Sequence, residues 1–179
     1  MNGRSFSLKP FSPISPPLNF KITGHIARRP RQLAIRYDLH GPLTELVIPG
    51  PADMPARRHG LWEETCFEFF LRVKDSPRYW EFNLSPAGHW NVYRFAGYRQ
   101  GMAEEIAFTS LPLSVRRRSD SLRLDLELDV GAIVSADQPL EVGIAAVIRL
   151  AGNGVTYWAL IHPGPQADFH RRDSFLVEL

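Results

Sequence analysis

The chain of 179 residues has a single cysteine, Cys66, so no intrachain disulfide can staple it and folding needs no oxidising compartment. No apolar run approaches the length of a membrane span. The N-terminus MNGRSFSLKPFSPISPPLNF has neither an uninterrupted hydrophobic stretch nor a small-residue cleavage site. These absences lead us to expect a cytoplasmic protein with no membrane partner. Lysine is scarce as well: of the 21 basic residues only Lys9, Lys21 and Lys74 are not arginine. The arginines cluster at Arg28, Arg29 and Arg31, at Arg57 and Arg58, at Arg116 to Arg118, and at Arg171 and Arg172. Acidic residues nearly cancel them, leaving a net charge of +2. No basic and aromatic motif accompanies these runs, which argues against nucleic acid and for solvated turns.

Helical patterning is almost missing too, since only Val130 to Ser135 suits a short helical turn. What is present is two-residue alternation. Residues 1–17 carry Pro10, Pro13, Pro16 and Pro17 among serines and are expected to form an extended leader. Residues 18–179 are expected to form one domain. Strands are expected at Asn19 to Ala27, at Gln32 to His40 and, more briefly, at Thr44 to Ile48. Others follow at Ile106 to Arg116 (interrupted by Pro112), Leu122 to Asp129, Leu140 to Leu150, Val155 to Ile161 and Ser174 to Leu179. Leu122, Leu124, Leu126 and Leu128 alternate with Arg123, Asp125, Glu127 and Asp129, the cleanest case of half-buried strand periodicity. The pattern implies an all-β protein with very little helix, built as an antiparallel β-sandwich or a closed barrel.

Leu61 to Tyr93, LWEETCFEFFLRVKDSPRYWEFNLSPAGHWNVY, concentrates the chemistry. Side chains alternate across a strand, so parity separates two faces. One face takes Phe67, Phe69, Leu71, Val73, Trp80, Phe82, Leu84, Trp90 and Val92 and reads as core. The other takes Trp62, Glu64, Glu68, Tyr79, Glu81, Asn83, His89, Asn91 and Tyr93. The short links Lys74 to Pro77 and Ser85 to Gly88 read as hairpin turns that bring these residues into one patch. An antiparallel sheet often has one wet face, so such a patch can be plain solvated surface. Aromatic rings beside carboxylates and amides also suit a polyhydroxylated ligand: a ring covers the apolar face of a sugar, and polar groups bond its hydroxyls.

LWEETCFEFFL, YWEFNLSPAGHWNVY and the closing HPGPQADFHRRDSFLVEL resemble the DOMON-like superfamily, near the family 9 carbohydrate-binding modules, from about residue 20 onward. The resemblance implies an immunoglobulin-like or jelly-roll-like β-sandwich that binds a sugar or a b-type haem. In the sugar-binding members a tryptophan precedes an acidic strand motif, and Trp62 and Glu68 match it. Thr65 stands where those members have an aspartate. Their second stacking tryptophan has no counterpart, and Phe169 and His170 occupy its region. The haem-binding relatives hold iron with a methionine and a histidine, an arrangement that Met54 with His162 or His170 copies most nearly, with Met102 as the other methionine.

Other chemistry leaves weaker marks. His162, Asp168, His170 and Asp173 match no zinc spacing, and carboxylates with carbonyls could hold calcium without a visible motif. Glu64, Glu68 and Glu81 could approach one another as the acid and base of a hydrolase. No nucleophile elbow, phosphate loop or paired CxxC occurs. The reading is therefore a non-catalytic module with an open sheet face that takes a carbohydrate or related polar small molecule. Its ligand-binding residues are Trp62, Glu64, Glu68, Tyr79, Glu81, Asn83, Asn91, Tyr93 and His170, and no cofactor or metal is part of it. The alternatives are a haem protein and a carboxylate-dependent hydrolase acting on a sugar.

Overall fold

The computed structural model describes residues 2–13, 19–152 and 154–179. Two antiparallel sheets form. The first contains β1 (Asn2–Ser7), β3 (Lys21–Arg28), β4 (Gln32–His40), β9 (Leu113–Arg117) and β10 (Ser121–Asp129), in the order β1, β3, β4, β10, β9. The second contains β2 (Lys9–Pro10), β5 (Cys66–Val73), β6 (Tyr79–Leu84), β7 (Trp90–Phe95), β8 (Ala103–Glu104), β11 (Leu140–Arg149) and β12 (Val155–Ala159). Their order is β2, β12, β11, β5, β6, β7, β8, and β13 (Val177–Glu178) pairs with β11. The expected antiparallel sandwich is thus observed. Among the described residues there is no α-helix, only three-residue 3-10 turns at Leu43–Glu45, Leu61–Glu63 and Arg172–Ser174. Among the described residues no helix is long and apolar enough to cross a membrane.

The core lies between the sheets. The leucines of β10 and Leu33, Ile35, Tyr37 and Leu39 of β4 meet Phe67, Phe69, Leu71, Phe82, Val92, Val142 and Ile144 of the second sheet. Phe69 and Phe82, opposite each other across β5 and β6, stack at 4.3 Å. The tyrosine inside this apolar layer has its hydroxyl satisfied: Tyr37 donates to the Glu68 carbonyl at 2.7 Å.

Several elements depart from the sequence expectation. The proline-rich start is built into the sheets: β1 pairs with β3 from Asn2↔Arg28 to Ser7↔Thr23, and β2 pairs with β12. Proline removes one donor, which an edge strand tolerates, and both strands are edges. Pro16 and Pro17 lie outside the described residues. Thr44 to Ile48 forms a 3-10 turn and a bridge from Leu46 to Leu150 instead of a strand. After Pro112 the expected strand begins only at Leu113, while Phe108 and Leu111 enter the core from loop backbone. Val130 to Ser135 makes a single turn, with the N–H groups of Ile133 and Val134 both bonded to the Val130 carbonyl at 3.0 Å.

The second sheet has two buried faces. On its outer side Phe70, Tyr79, Tyr93, Phe95, Ala145, Ala159 and Phe175 form a separate apolar cluster, against which Trp62 and Phe169 pack. The open wet face expected from parity is therefore corrected. Parity sorted the residues properly, but the Leu61–Glu63 turn, the loop after β7 and the C-terminal segment cover them. The outward residues of β11 explain part of the space beneath. Gly143 and Ala145 are small, and a Cβ on Gly143 would meet Phe175 Cδ1 at 2.9 Å. Phe175 can approach β11 this closely only because that position has no side chain.

Candidate functional site

A cavity of about 390 Å³ opens between the outer face of the second sheet and its covering segments. Glu68 of β5 and Glu81 of β6 form its floor, with Phe95 of β7 and Val147 of β11 beside them. Trp62, Tyr157 and Phe169 supply rings to its walls, and Arg99, Met102 and His170 complete them. This volume falls within the range of small-molecule sites.

Each wall is set by local structure. Gly60 has φ 74°, a left-handed conformation that redirects the chain into the Leu61–Glu63 turn. Trp62 on that turn packs edge-on against His59 at 5.0 Å and Tyr93 at 5.7 Å, so its ring is oriented before any ligand arrives. Arg99 is held at φ 52°, a strained value for a residue with a side chain. Its backbone N–H donates to the Tyr79 hydroxyl at 3.2 Å, and its guanidinium pairs with Asp168 at 2.8 Å. Asp168 also accepts from the Tyr98 hydroxyl and, at 3.1 Å, from the His170 N–H. The C-terminal segment is pinned over the sheet through this carboxylate.

Glu68 is only 3% exposed and Glu81 5%. Burial raises the pKa of each carboxyl above its usual range, and the nearby Glu81 charge raises that of Glu68 further. Burial carries Glu81 to about 7, although the Asn83 hydrogen bond and the Arg99 charge oppose it. Asn83 Nδ2 donates to Glu81 Oε1 at 2.9 Å. Asn83 stands directly opposite Glu68 in the strand register. Among the described residues neither Asn83 Oδ1 nor Glu68 Oε1 has a hydrogen-bond partner, although both are buried. Protonation of the Glu68 carboxyl adds a donor to this pair of cross-strand neighbours.

His170 is held neutral by burial and by the Arg99 charge, which together lower it to about 4 against the pull of Asp168. Its Nδ1 lies 2.8 Å from the Tyr79 hydroxyl. That hydroxyl also accepts from the Arg99 backbone N–H. Nε2 is 3.7 Å from Glu81 Oε2, a separation beyond an ordinary hydrogen bond. A neutral imidazole beside a protonated or half-ionised carboxyl is not an ion pair. We therefore expect the His170 ring, followed by NMR, to take up its proton only near pH 4, with no more than a small shift near 7 as the neighbouring Glu81 titrates. A midpoint near 6.5 would show the ring solvated and the cover open.

The candidate residues thus separate. Trp62, Glu68, Glu81 and His170 line one cavity, with Asn83 beneath it. Tyr79 reaches a shallower neighbouring depression together with His170. Asn91 and Tyr93 are buried in another network: Asn91 accepts from Arg57 at 2.7 Å, and its amide lies 2.9 Å from both the Tyr93 hydroxyl and Glu104 Oε1. Glu64 is exposed and outside the cavity, so the three-carboxylate arrangement reduces to two. Thr65 is fully buried in a structural role, donating to the Val47 carbonyl at 2.6 Å and accepting from the Arg149 N–H. Trp80 is half-buried and donates to Glu105 at 3.0 Å, whereas Trp90 is buried. Met54 is 81% exposed, and His162 Nε2 lies 2.8 Å from the Lys9 carbonyl, so neither is placed beside His170. Met102 is the methionine that shares a cavity with it.

Arg99, Tyr157 and Phe95 were not singled out from sequence. They come from three separate segments, and only the fold brings them together. Phe95 continues the outward parity of Asn91 and Tyr93, a signal that was available. Arg99 left none, because its strained turn depends on partners at Tyr79 and Asp168.

No family model matches the chain, and no curated protein sequence matches it significantly. Solved structures do match. A Bacteroides uniformis protein described with an inferred carbohydrate-binding role superposes with a TM-score of 0.72 at 16% identity, covering 96% of this chain and 84% of that one. A family 9 carbohydrate-binding module from Caldicellulosiruptor kristjanssonii in complex with cellotriose gives 0.56 at 8% identity, covering 98% and 80%. The glucose complex of a family 9 module from the same organism gives 0.51 at 9%, covering 88% and 76%. At these identities the shared property is the fold: a β-sandwich like that of carbohydrate-binding modules.

Proposed function

We propose that the protein is a non-catalytic carbohydrate-binding module, and that the sugar sits in the cavity between Trp62 and Phe169 with its hydroxyls on Glu68, Glu81 and Arg99. The observation that carries this reading is the combination of aromatic walls with two deeply buried carboxyls at one cavity of small-molecule size. Apolar ring faces and fixed hydrogen-bonding groups are what a pyranose offers contacts for. The fold likeness supports it, since two of the similar structures hold glucose and cellotriose. Membership of the DOMON-like superfamily and a cytoplasmic location belong to the same reading, the first on Trp62 and Glu68, the second on the lone Cys66.

Tryptophan fluorescence, titrated with glucose, galactose, xylose and cellotriose, tests it. At least one sugar should give a saturable change, and Trp62→Ala should weaken that binding by about 30-fold, the scale of a lost aromatic anchor. No saturable response from the parent protein would contradict the reading. A hydrolase would use the same two carboxyls, whereas here nitrophenol should be released from nitrophenyl glycosides no faster than without protein.

A further inference from the structure

The charges around the cavity do not balance. Glu68 and Glu81 stand diagonally across β5 and β6, since Glu68 opposes Asn83 and Glu81 opposes Phe70. The groups facing them are Cys66, Tyr79, Asn83, Arg99, Asp168 and His170. Cys66 and Tyr79 stay neutral, because burial pushes both thiol and phenol upward, the phenol to about 12. The Arg99 guanidinium is engaged by Asp168 at 2.8 Å, with the Tyr98 hydroxyl on the same carboxylate. His170 carries no charge at neutral pH. Among the described residues the cavity's cation, Arg99, is shared with Asp168 and offsets Glu81 only in part, and Glu68 Oε1 lacks any hydrogen-bond partner.

We propose that the cavity prefers a sugar bearing a protonated amine, with the ammonium seated against the carboxyls of Glu68 and Glu81 and the ring held between Trp62 and Phe169. This rests on the carbohydrate reading above and names the sugar class. An ammonium supplies donors where the floor has only acceptors, and its positive charge is favoured beside aromatic faces. It also supplies the cation that lets buried carboxyls ionise. In the free protein the pair retains protons that isolated carboxyls would lose, and the bound ammonium expels one of them to the buffer while keeping its own.

Calorimetric titration at pH 7 with glucose, glucosamine and N-acetylglucosamine tests the proposal. Two buffers of different ionisation enthalpy give the proton count. Glucosamine should bind at least about tenfold more tightly than glucose, a difference well within the reach of one charge-assisted contact. N-acetylglucosamine, which has lost the charge, should show no such gain. Glucosamine binding should release a proton, and Glu81→Gln should reduce the glucosamine to glucose affinity ratio to about one. Glucose binding without a glucosamine preference, or a preference that survives Glu81→Gln, overturns the amine seat and leaves the carbohydrate reading standing. Failure of all three sugars to bind overturns both.

Discussion

Replacing Glu68 with glutamine should raise unfolding stability at pH 8 by about 2 kcal/mol, the scale of relieving an unsatisfied buried charge. The amide is nearly isosteric, and its Nε2 can donate to Asn83 Oδ1 across the strand pair, satisfying an acceptor that otherwise has no partner. The pH dependence follows from three groups. The folded-state value of Glu68 is raised, so its contribution to stability is present below the unfolded value near 4.5 and is lost as pH rises through the folded one. Glu81 behaves alike between 4.5 and about 7, and a shift of that size corresponds to roughly 3 kcal/mol. His170 has the opposite sign. Its folded value is lowered from 6.5 to about 4, so stability is gained as pH rises across that window. Between pH 4.5 and 6.5 Glu81 and His170 nearly cancel. Above pH 4.5 Glu68 adds a decline of its own to that of Glu81, which runs up to about 7. Urea unfolding at pH 5.5 and 8 measures it: Glu68→Gln should flatten the decline, and an unchanged slope or a less stable variant at pH 8 would show Glu68 to be well solvated.

Arg57→Ala should cost about 3 kcal/mol, because one guanidinium serves several buried groups at once. It donates to Asn91 Oδ1 at 2.7 Å, to the Glu105 carbonyl at 3.0 Å and to the Phe108 carbonyl, and it lies 4.5 Å from the Trp90 ring centre. Removing it leaves two carbonyls and an amide oxygen without this donor. The loop that Arg57 anchors leads directly into Gly60 and Trp62, so sugar binding should weaken as well. Lysine has a single ammonium without the planar fork and should not restore stability. Thermal and urea unfolding of both variants check this. A loss below about 1 kcal/mol for Arg57→Ala would mean that the network forms without it.

The sheets were largely legible because alternation follows from the two-residue period of a strand, and the leucines of β10 show it without interruption. The hairpins of β5, β6 and β7 follow the same logic, and their registers place Glu68 beside Asn83 as the short turns require. What alternation cannot show is whether a polar face meets water. Tyr79, Glu81, Asn83 and Asn91 have the composition of a wet surface. They are buried because distant segments fold over them, held by contacts such as Arg99 with Asp168 and Phe175 on Gly143. The Trp62 and Glu68 match was visible as a motif. The partnership of Trp62 with Phe169 was not, since more than one hundred residues separate them and only the sandwich brings both to one cavity.

A crystal structure of the protein soaked with the sugar that binds most tightly should show one pyranose ring between Trp62 and Phe169, with hydroxyls or an amine within hydrogen-bond distance of Glu68 and Glu81. Sugar density confined to another surface, with this cavity holding only water, would contradict it.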